Sequence, residues 1–320
     1  MNSLIKKAAP LPLPNAVPVI SIAPVTLPAP GRGRDLEMRV SAPMSGDSLP
    51  VIVLSHGMGP SFYVASMDGY GPVANFWAAH GFVVIQPSHI STRVYATPAD
   101  APGGPLFWRS RVKDLSDIAD QLDAIEASVP GLKGRMDRTR LAVVGHSMGG
   151  QTAGMILGAR LTDPKDRTAV DVDLRDRRYK AGILLAAPGN GADLSDFAKE
   201  NYSALNPDFS TMDTPALVVV GNADNGTHLN SRGADWYADA YHLSKGHKAL
   251  LRLEGGGHGL GGIAGYDAKE TDDEDPDRLA TTQRMTLAWL RTALDVDDKA
   301  WAEACAALRQ TAGLGTVDEK

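Results

Sequence analysis

Apolar residues in this chain fall into two patterns. The first is a set of short, nearly continuous runs: Pro50-Val51-Ile52-Val53-Leu54, Phe82-Val83-Val84-Ile85, Leu141-Ala142-Val143-Val144, Ala181–Ala187, Ala216–Val220 and Ala249–Leu253. Each is too short for a helix, and several are rich in β-branched residues, so they predict strands buried on both faces. The second pattern recurs every three or four positions. Val112, Leu115, Ile118, Leu122, Ile125 and Val129 share one helical face, which predicts a helix over 110–129, ended by Pro130-Gly131. Further helices are predicted over Val73–His80, stopping at Gly81, over Gly149–Arg160, near Asp235–Leu243 and over Thr281–Leu294. Two strands, Val19–Pro28 and Asp35–Ala42, open the fold around the turn chemistry of Gly31-Arg32-Gly33-Arg34.

Strand and helix alternate, which predicts an α/β fold: a mostly parallel central sheet of about eight strands with helices on both faces. Residues 1–18 carry Pro10, Pro12, Pro14 and Pro18 and read as a poorly ordered tail. Residues 19–298 read as one domain, with irregular excursions at 161–178 and 188–213, and 299–320 as a C-terminal helix and tail. The 188–213 connection is long enough to cover a site beside it.

Composition narrows the classes. The net charge is −6 and no basic stripe occurs, so nucleic acid is not an expected partner. The single cysteine, Cys305, excludes an intrachain disulfide and a cysteine-based zinc site. The prolines interrupt the apolar start that follows Lys6 and Lys7, so it does not read as an export signal, and a cytoplasmic location is expected. No run approaches the roughly 20 apolar residues of a membrane span. The acidic stretch Asp267–Asp277 lacks the spacing of a calcium loop and reads as a solvated loop, so no metal is expected.

Ligands of a parallel sheet bind beyond the carboxyl ends of its strands. Past Leu141–Val144 stands Gly145-His146-Ser147-Met148-Gly149-Gly150, a G-x-S-x-G between a predicted strand and a predicted helix. That turn holds a serine at its apex, facing the N–H groups and positive dipole end of the helix. Past Pro50–Leu54 stands Ser55-His56-Gly57-Met58-Gly59, a glycine-rich loop suited to turning amides inward. The oxyanion hole is assigned to the backbone N–H groups of Met58 and Met148, and His56 to holding the loop.

Asp224 follows Ala216–Val220, and His258 follows Ala249–Leu253 among glycines. The order serine, acid, histidine then makes Ser147 the nucleophile, His258 its base and Asp224 the residue that orients the base. Asp193 and Asp196 compete for the acid but belong to the preceding strand, and Asp224 lies closer to its strand end. His228, His242 and His247 read as surface histidines. Phe62, Tyr63, Phe107 and Trp108 lie in loops after early strands and are candidates to line a substrate pocket.

Through His56-Gly57-Met58-Gly59, the Ser147 elbow, Asp224 and His258, residues 20–298 resemble the α/β-hydrolase superfamily. Within it the chain resembles the serine esterase branch of platelet-activating-factor acetylhydrolases, chlorophyllases, dienelactone-hydrolase-like enzymes and cutinase-like polyester hydrolases. Hormone-sensitive-lipase relatives carry His-Gly-Gly-Gly instead, a dienelactone hydrolase proper has a cysteine nucleophile, and secreted polyester hydrolases have an export signal and a disulfide. The resemblance implies a small-molecule ester substrate, cleaved through an acyl-enzyme without a cofactor. Acyltransferases, thioesterases, amidases and peptidases use the same framework, and so do receptors that have kept the fold.

Overall fold

The computed structural model describes residues 4–265 and 273–320. An antiparallel pair opens the chain, β1 (Val19–Leu27) and β2 (Leu36–Pro43). Then β3 (Leu49–Ser55) passes through α1 (Gly71–Ala79) to β4 (Val83–Pro87). Helices α2 (Trp108–Asp120) and α3 (Leu122–Ser128) lead to β5 (Met136–His146), and α4 (Met148–Ile156) follows it at once. The charged excursion starts with β6 (Arg160–Leu161) and returns to β7 (Tyr179–Leu185). After β7 come α5 (Asp196–Asn201) and β8 (Pro207–Asp208), which pairs with β6. The remainder is β9 (Ala216–Gly221), α6 (Asp239–Leu243), β10 (Lys248–Leu253), α7 (Pro276–Ala293), α8 (Ala300–Arg309) and β11 (Gly315–Glu319).

Nine strands form one sheet in the order β1-β2-β4-β3-β5-β7-β9-β10-β11. The six from β4 to β10 run parallel, and antiparallel strands finish both edges. The nearly continuous apolar runs are explained by two cores. Val51, Val53, Leu141 and Val143 face the core under α2, α3 and α4. Ile52, Leu54, Ala142 and Val144 face the core under α1, α7 and α8. At roughly 25 cal/mol per Å² of apolar area, a sheet covered twice is the main source of this fold's stability.

Several elements differ from the sequence expectation. The helix of 110–129 is two helices, because Gln121 N–H bonds Ile118 O (3.1 Å) and tightens one turn; the buried face continues across the break. The helix after Ser147 ends at Ile156 rather than Arg160, since Gly158 takes φ +113° two residues later. The C-terminal tail supplies a strand, β11. The proline-rich segment expected as a poorly ordered tail is tied to α7. Ala8 and Leu11 are buried, and Arg284 Nη1 donates to the carbonyls of Ala8, Ala9 and Leu11. Asp277 Oδ1 accepts the amides of Lys6 and Ala8. Among the described residues no helix is long and apolar enough to cross a membrane.

Candidate active site

Ser147 sits at the joint of β5 and α4, with φ 55° and ψ −123°. A non-glycine residue held there is strained, as a strand that must turn sharply into a helix requires. Ser147 N–H donates to Leu185 O on the neighbouring β7 (2.9 Å), which fixes the apex. The flanking glycines are steric necessities. A Cβ on Gly145 would overlap the Gly149 carbonyl, and one on Gly149 would overlap the Ser55 carbonyl at the end of β3. The elbow and the start of the loop after β3 therefore touch backbone to backbone.

The loops after β9 and β10 are knitted together. Ala223 N–H donates to Gly256 O (2.8 Å), and Asn222 Oδ1 accepts Gly255 N–H (2.7 Å). Across that joint His258 Nδ1 and Asp224 Oδ2 lie 2.7 Å apart. The Asp224 side chain is 5% exposed and that of His258 39%, so the acid is enclosed and the imidazole reaches solvent. In a neutral imidazole, an Nδ1–H directed at the carboxylate leaves Nε2 as the acceptor. Tyr237 hydrogen-bonds Asp224 as well; burial first, then Asp224, raises its phenol. Its ring centroid is 5.6 Å from that of His258.

Asp273 belongs to the acidic stretch read as a solvated loop, of which residues 267–272 lie outside the described residues. That reading does not hold for Asp273. Its side chain is 8% exposed, and Oδ2 accepts the amides of Gly257 (2.9 Å) and Gly261 (3.1 Å), on either side of His258. Arg278 Nη1 holds its other oxygen at 2.6 Å. Among the described residues no group of histidine, cysteine or acidic side chains could hold a metal ion.

Met58 lies in the loop after β3 and is half-buried, and Met148 is buried at the first position of α4. Behind that loop lies a polar network that sequence reasoning did not find. His89 N–H donates to His56 Nε2 (3.1 Å), and His56 Nδ1 donates to Gly57 O (2.6 Å). Arg111 Nη2 donates to His56 O and to Ser55 Oγ (3.3 Å), while Nε donates to Thr152 Oγ1 (3.1 Å). Ser55 Oγ lies 2.9 Å from His89 Nε2, and His89 Nδ1 2.8 Å from Asp114 Oδ2. Burial lowers Arg111 to about 10 and raises Asp114 to about 6, the latter offset by Arg32. Burial, reinforced by Arg111, holds both imidazoles well below their usual value, so they stay neutral.

The four aromatic residues expected at a pocket are separated. Phe62 and Tyr63 are 63% and 42% exposed, and Arg93 lies over the Phe62 ring. Phe107 and Trp108 are buried at the start of α2. They line a cavity of about 710 Å³ whose walls include Tyr202, Asp163 and Glu200 but not Ser147 or His258. The rival acids point elsewhere: Asp193 pairs with Arg232 at 2.9 Å and Asp196 with Lys199. Of the rival histidines, His247 stacks on Trp289, and His242 lies against Tyr241 and Arg252. His228 offers its carbonyl to Ser195 Oγ. Cys305 is buried in α8, where burial, then Glu319, pushes its thiol up to about 12.

A mostly parallel sheet covered on both faces, with a strained serine between a central strand and its helix, is the architecture of the α/β-hydrolases. The family model of the prolyl oligopeptidase family matches residues 108–274, just over half of the chain, and the chain belongs to that family of serine hydrolases. It is also similar to platelet-activating factor acetylhydrolase of Cavia porcellus, 26% identical over an alignment of 175 residues, with 44% of this chain and 35% of the relative covered. The Bos taurus protein of the same name is 25% identical over 181 residues, 45% of this chain and 36% of the relative. The match thus spans about a third of the length of these curated relatives.

Proposed function

We propose that this protein cleaves carboxylic esters by two-step acyl transfer, with Ser147 as nucleophile, His258 as general base and acid, and Asp224 as the group that orients the imidazole. The observation that carries this reading is the 2.7 Å contact of His258 Nδ1 with a buried Asp224, in a loop pair knitted over the strand ends. It leaves Nε2 of His258 to take the serine proton. Ser147 Oγ attacks the ester carbonyl as its proton passes to His258 Nε2. The carbonyl oxygen becomes an oxyanion held by the amides of Met58 and Met148. Gly57 N–H is already committed to Tyr70 Oη at 3.0 Å, which favours the following amide as the donor. Collapse expels the alcohol, which takes the proton from His258, and water repeats the sequence to release the acid. Each oxyanion donor is worth about 3 kcal/mol of barrier.

The ester preference rests on similarity to proteins named for acetyl-ester hydrolysis, and the family match favours a second reading, cleavage of a peptide bond. The test is turnover of p-nitrophenyl esters from acetate to palmitate beside a prolyl p-nitroanilide, with wild type and Ser147→Ala. Ester turnover that falls on the order of a million-fold in the variant is expected. Equal rates in both proteins remove Ser147 from the mechanism, and preference for the anilide makes the protein a peptidase. We further propose that residues 19–298 act as one hydrolase domain.

A further inference from the structure

One imidazole touches three of the proposed catalytic loops. His146 precedes the nucleophile and is itself buried. Its Nε2 lies 2.8 Å from the carbonyl oxygen of His258, and its Nδ1 lies 2.8 Å from Tyr70 Oη. Tyr70 Oη in turn accepts Gly57 N–H at 3.0 Å, one residue before Met58. Every direction in this chain is fixed. A carbonyl can only accept, so Nε2 carries the proton. Nδ1 is therefore bare and accepts the tyrosine O–H, whose oxygen is left to accept the Gly57 amide. The imidazole must be neutral to play both parts. Burial, reinforced by the nearby His258, holds it at about 3.

The backbone is shaped around this chain. Tyr70 takes φ 63° at the start of α1, and its own N–H donates to Ala264 O at 2.8 Å, in the segment that follows His258. A Cβ on Gly57 would crowd both Tyr70 Oη and His146 Nδ1. The His146 and His258 rings are 4.9 Å apart. A charged His146 would repel the imidazolium that forms on His258 during acyl transfer, whereas a neutral one does not.

We infer that His146 and Tyr70 are positioning residues that lock the oxyanion loop and the His258 loop to the nucleophile elbow through one directed hydrogen-bond chain. This rests on the hydrolase reading above. Such a chain acts on geometry reached in the transition state, so its loss lowers kcat and leaves KM nearly unchanged.

The experiment compares Tyr70→Phe, His146→Gln, His146→Phe and the double variant Tyr70→Phe/His146→Phe on p-nitrophenyl butyrate, with Ser147→Ala as reference. Tyr70→Phe and His146→Phe are each expected to lose about tenfold in kcat with KM within about twofold. The double variant loses no more than either, because both break the same chain. His146→Gln, which keeps a donor and an acceptor, recovers most of the loss. Nitrogen NMR of wild type is expected to show His146 as the neutral Nε2–H form from pH 5 to 9. Full kcat in Tyr70→Phe, additive losses, or a His146 that titrates near 6.5 overturns the inference while Ser147→Ala still abolishes turnover. If Ser147→Ala keeps its activity, the hydrolase reading falls first and this inference with it. Should Tyr70→Phe not fold, the contrast between His146→Gln and His146→Phe decides.

Discussion

Ser147, His258 and Asp224 stand past the carboxyl ends of three strands, while Ser55, His89 and Asp114 lie in the interior beside them. Ser55 is the direct neighbour of Gly145 across β3 and β5. The imidazole-to-carboxylate contacts are alike, 2.7 Å for His258 and Asp224 and 2.8 Å for His89 and Asp114. The inner set even has its serine 2.9 Å from the imidazole. What differs is everything around them. The inner serine and histidine have no exposed surface, Arg111 occupies the serine oxygen, and Arg32 and Arg111 stand by the carboxylate. The outer serine is strained, sits at a helix N-terminus and belongs to a loop system open to solvent. Sealed in the interior, a hydrogen-bonded serine, histidine and aspartate make a strut; the set proposed for catalysis differs in that its imidazole reaches solvent.

Fluorophosphonate labelling gives the sharpest break between the two sets. Wild type and Ser55→Ala are expected to form one adduct by mass spectrometry, and Ser147→Ala none. An adduct on Ser55 would abolish the distinction. Next in size is the paired exchange of the two acids. Asp224→Asn is expected to lower kcat about 10⁴-fold with little change in melting temperature. Asp114→Asn is expected to cost about 3 kcal/mol of stability in denaturant titration, because it uncovers the charges of Arg32 and Arg111. Comparable losses of kcat in both would make the inner set part of the chemistry.

The smallest effect concerns acid. His56, His89 and His146 are held neutral in the fold, His146 at about 3, whereas each takes a proton near 6.5 when unfolded. Between those limits the unfolded chain binds more protons, so stability is complete above about pH 6.5 and falls as pH drops below it. Asp114, raised to about 6, works in the opposite sense between its unfolded value and 6. Replacing His146 with Gln is expected to flatten the slope of unfolding free energy by about 1.4 kcal/mol per pH unit between pH 4 and 6. An unchanged slope would mean that His146 titrates normally in the fold.

Local signals carried most of the framework. Six apolar runs read as strands because a sheet buried on both faces needs no alternation, and G-x-S-x-G marks its own turn because the glycines meet backbone. The proposed acid and base are chosen by position alone, each just past a strand end, and the fold brings their side chains to 2.7 Å. Tyr70, Tyr237 and Asp273 were not, since each reaches its partner across the fold and none stands in a local pattern. Arg111 and Asp114 look like the solvated face of α2 in sequence, but the loop after β3 packs on Arg111, and Arg32 and His89 close over Asp114, which turns that face inward. Strand β11 carries one buried apolar residue, Val317, and takes its extended form from pairing with β10. Phe107 and Trp108 lie in a loop by sequence, yet they wall a separate cavity.

Strand β11 also finishes the sheet. It lies along β10 from Ala249 to Leu253, the strand that leads directly into His258. Without it β10 would be an open, apolar edge, the kind on which a second molecule can add a strand. The closing strand is short and ends in Asp318, Glu319 and Lys320, all exposed, so the border it presents is charged. Strand β11 is thus a selvedge on β10, a charged border woven beside the strand from which the proposed base is hung.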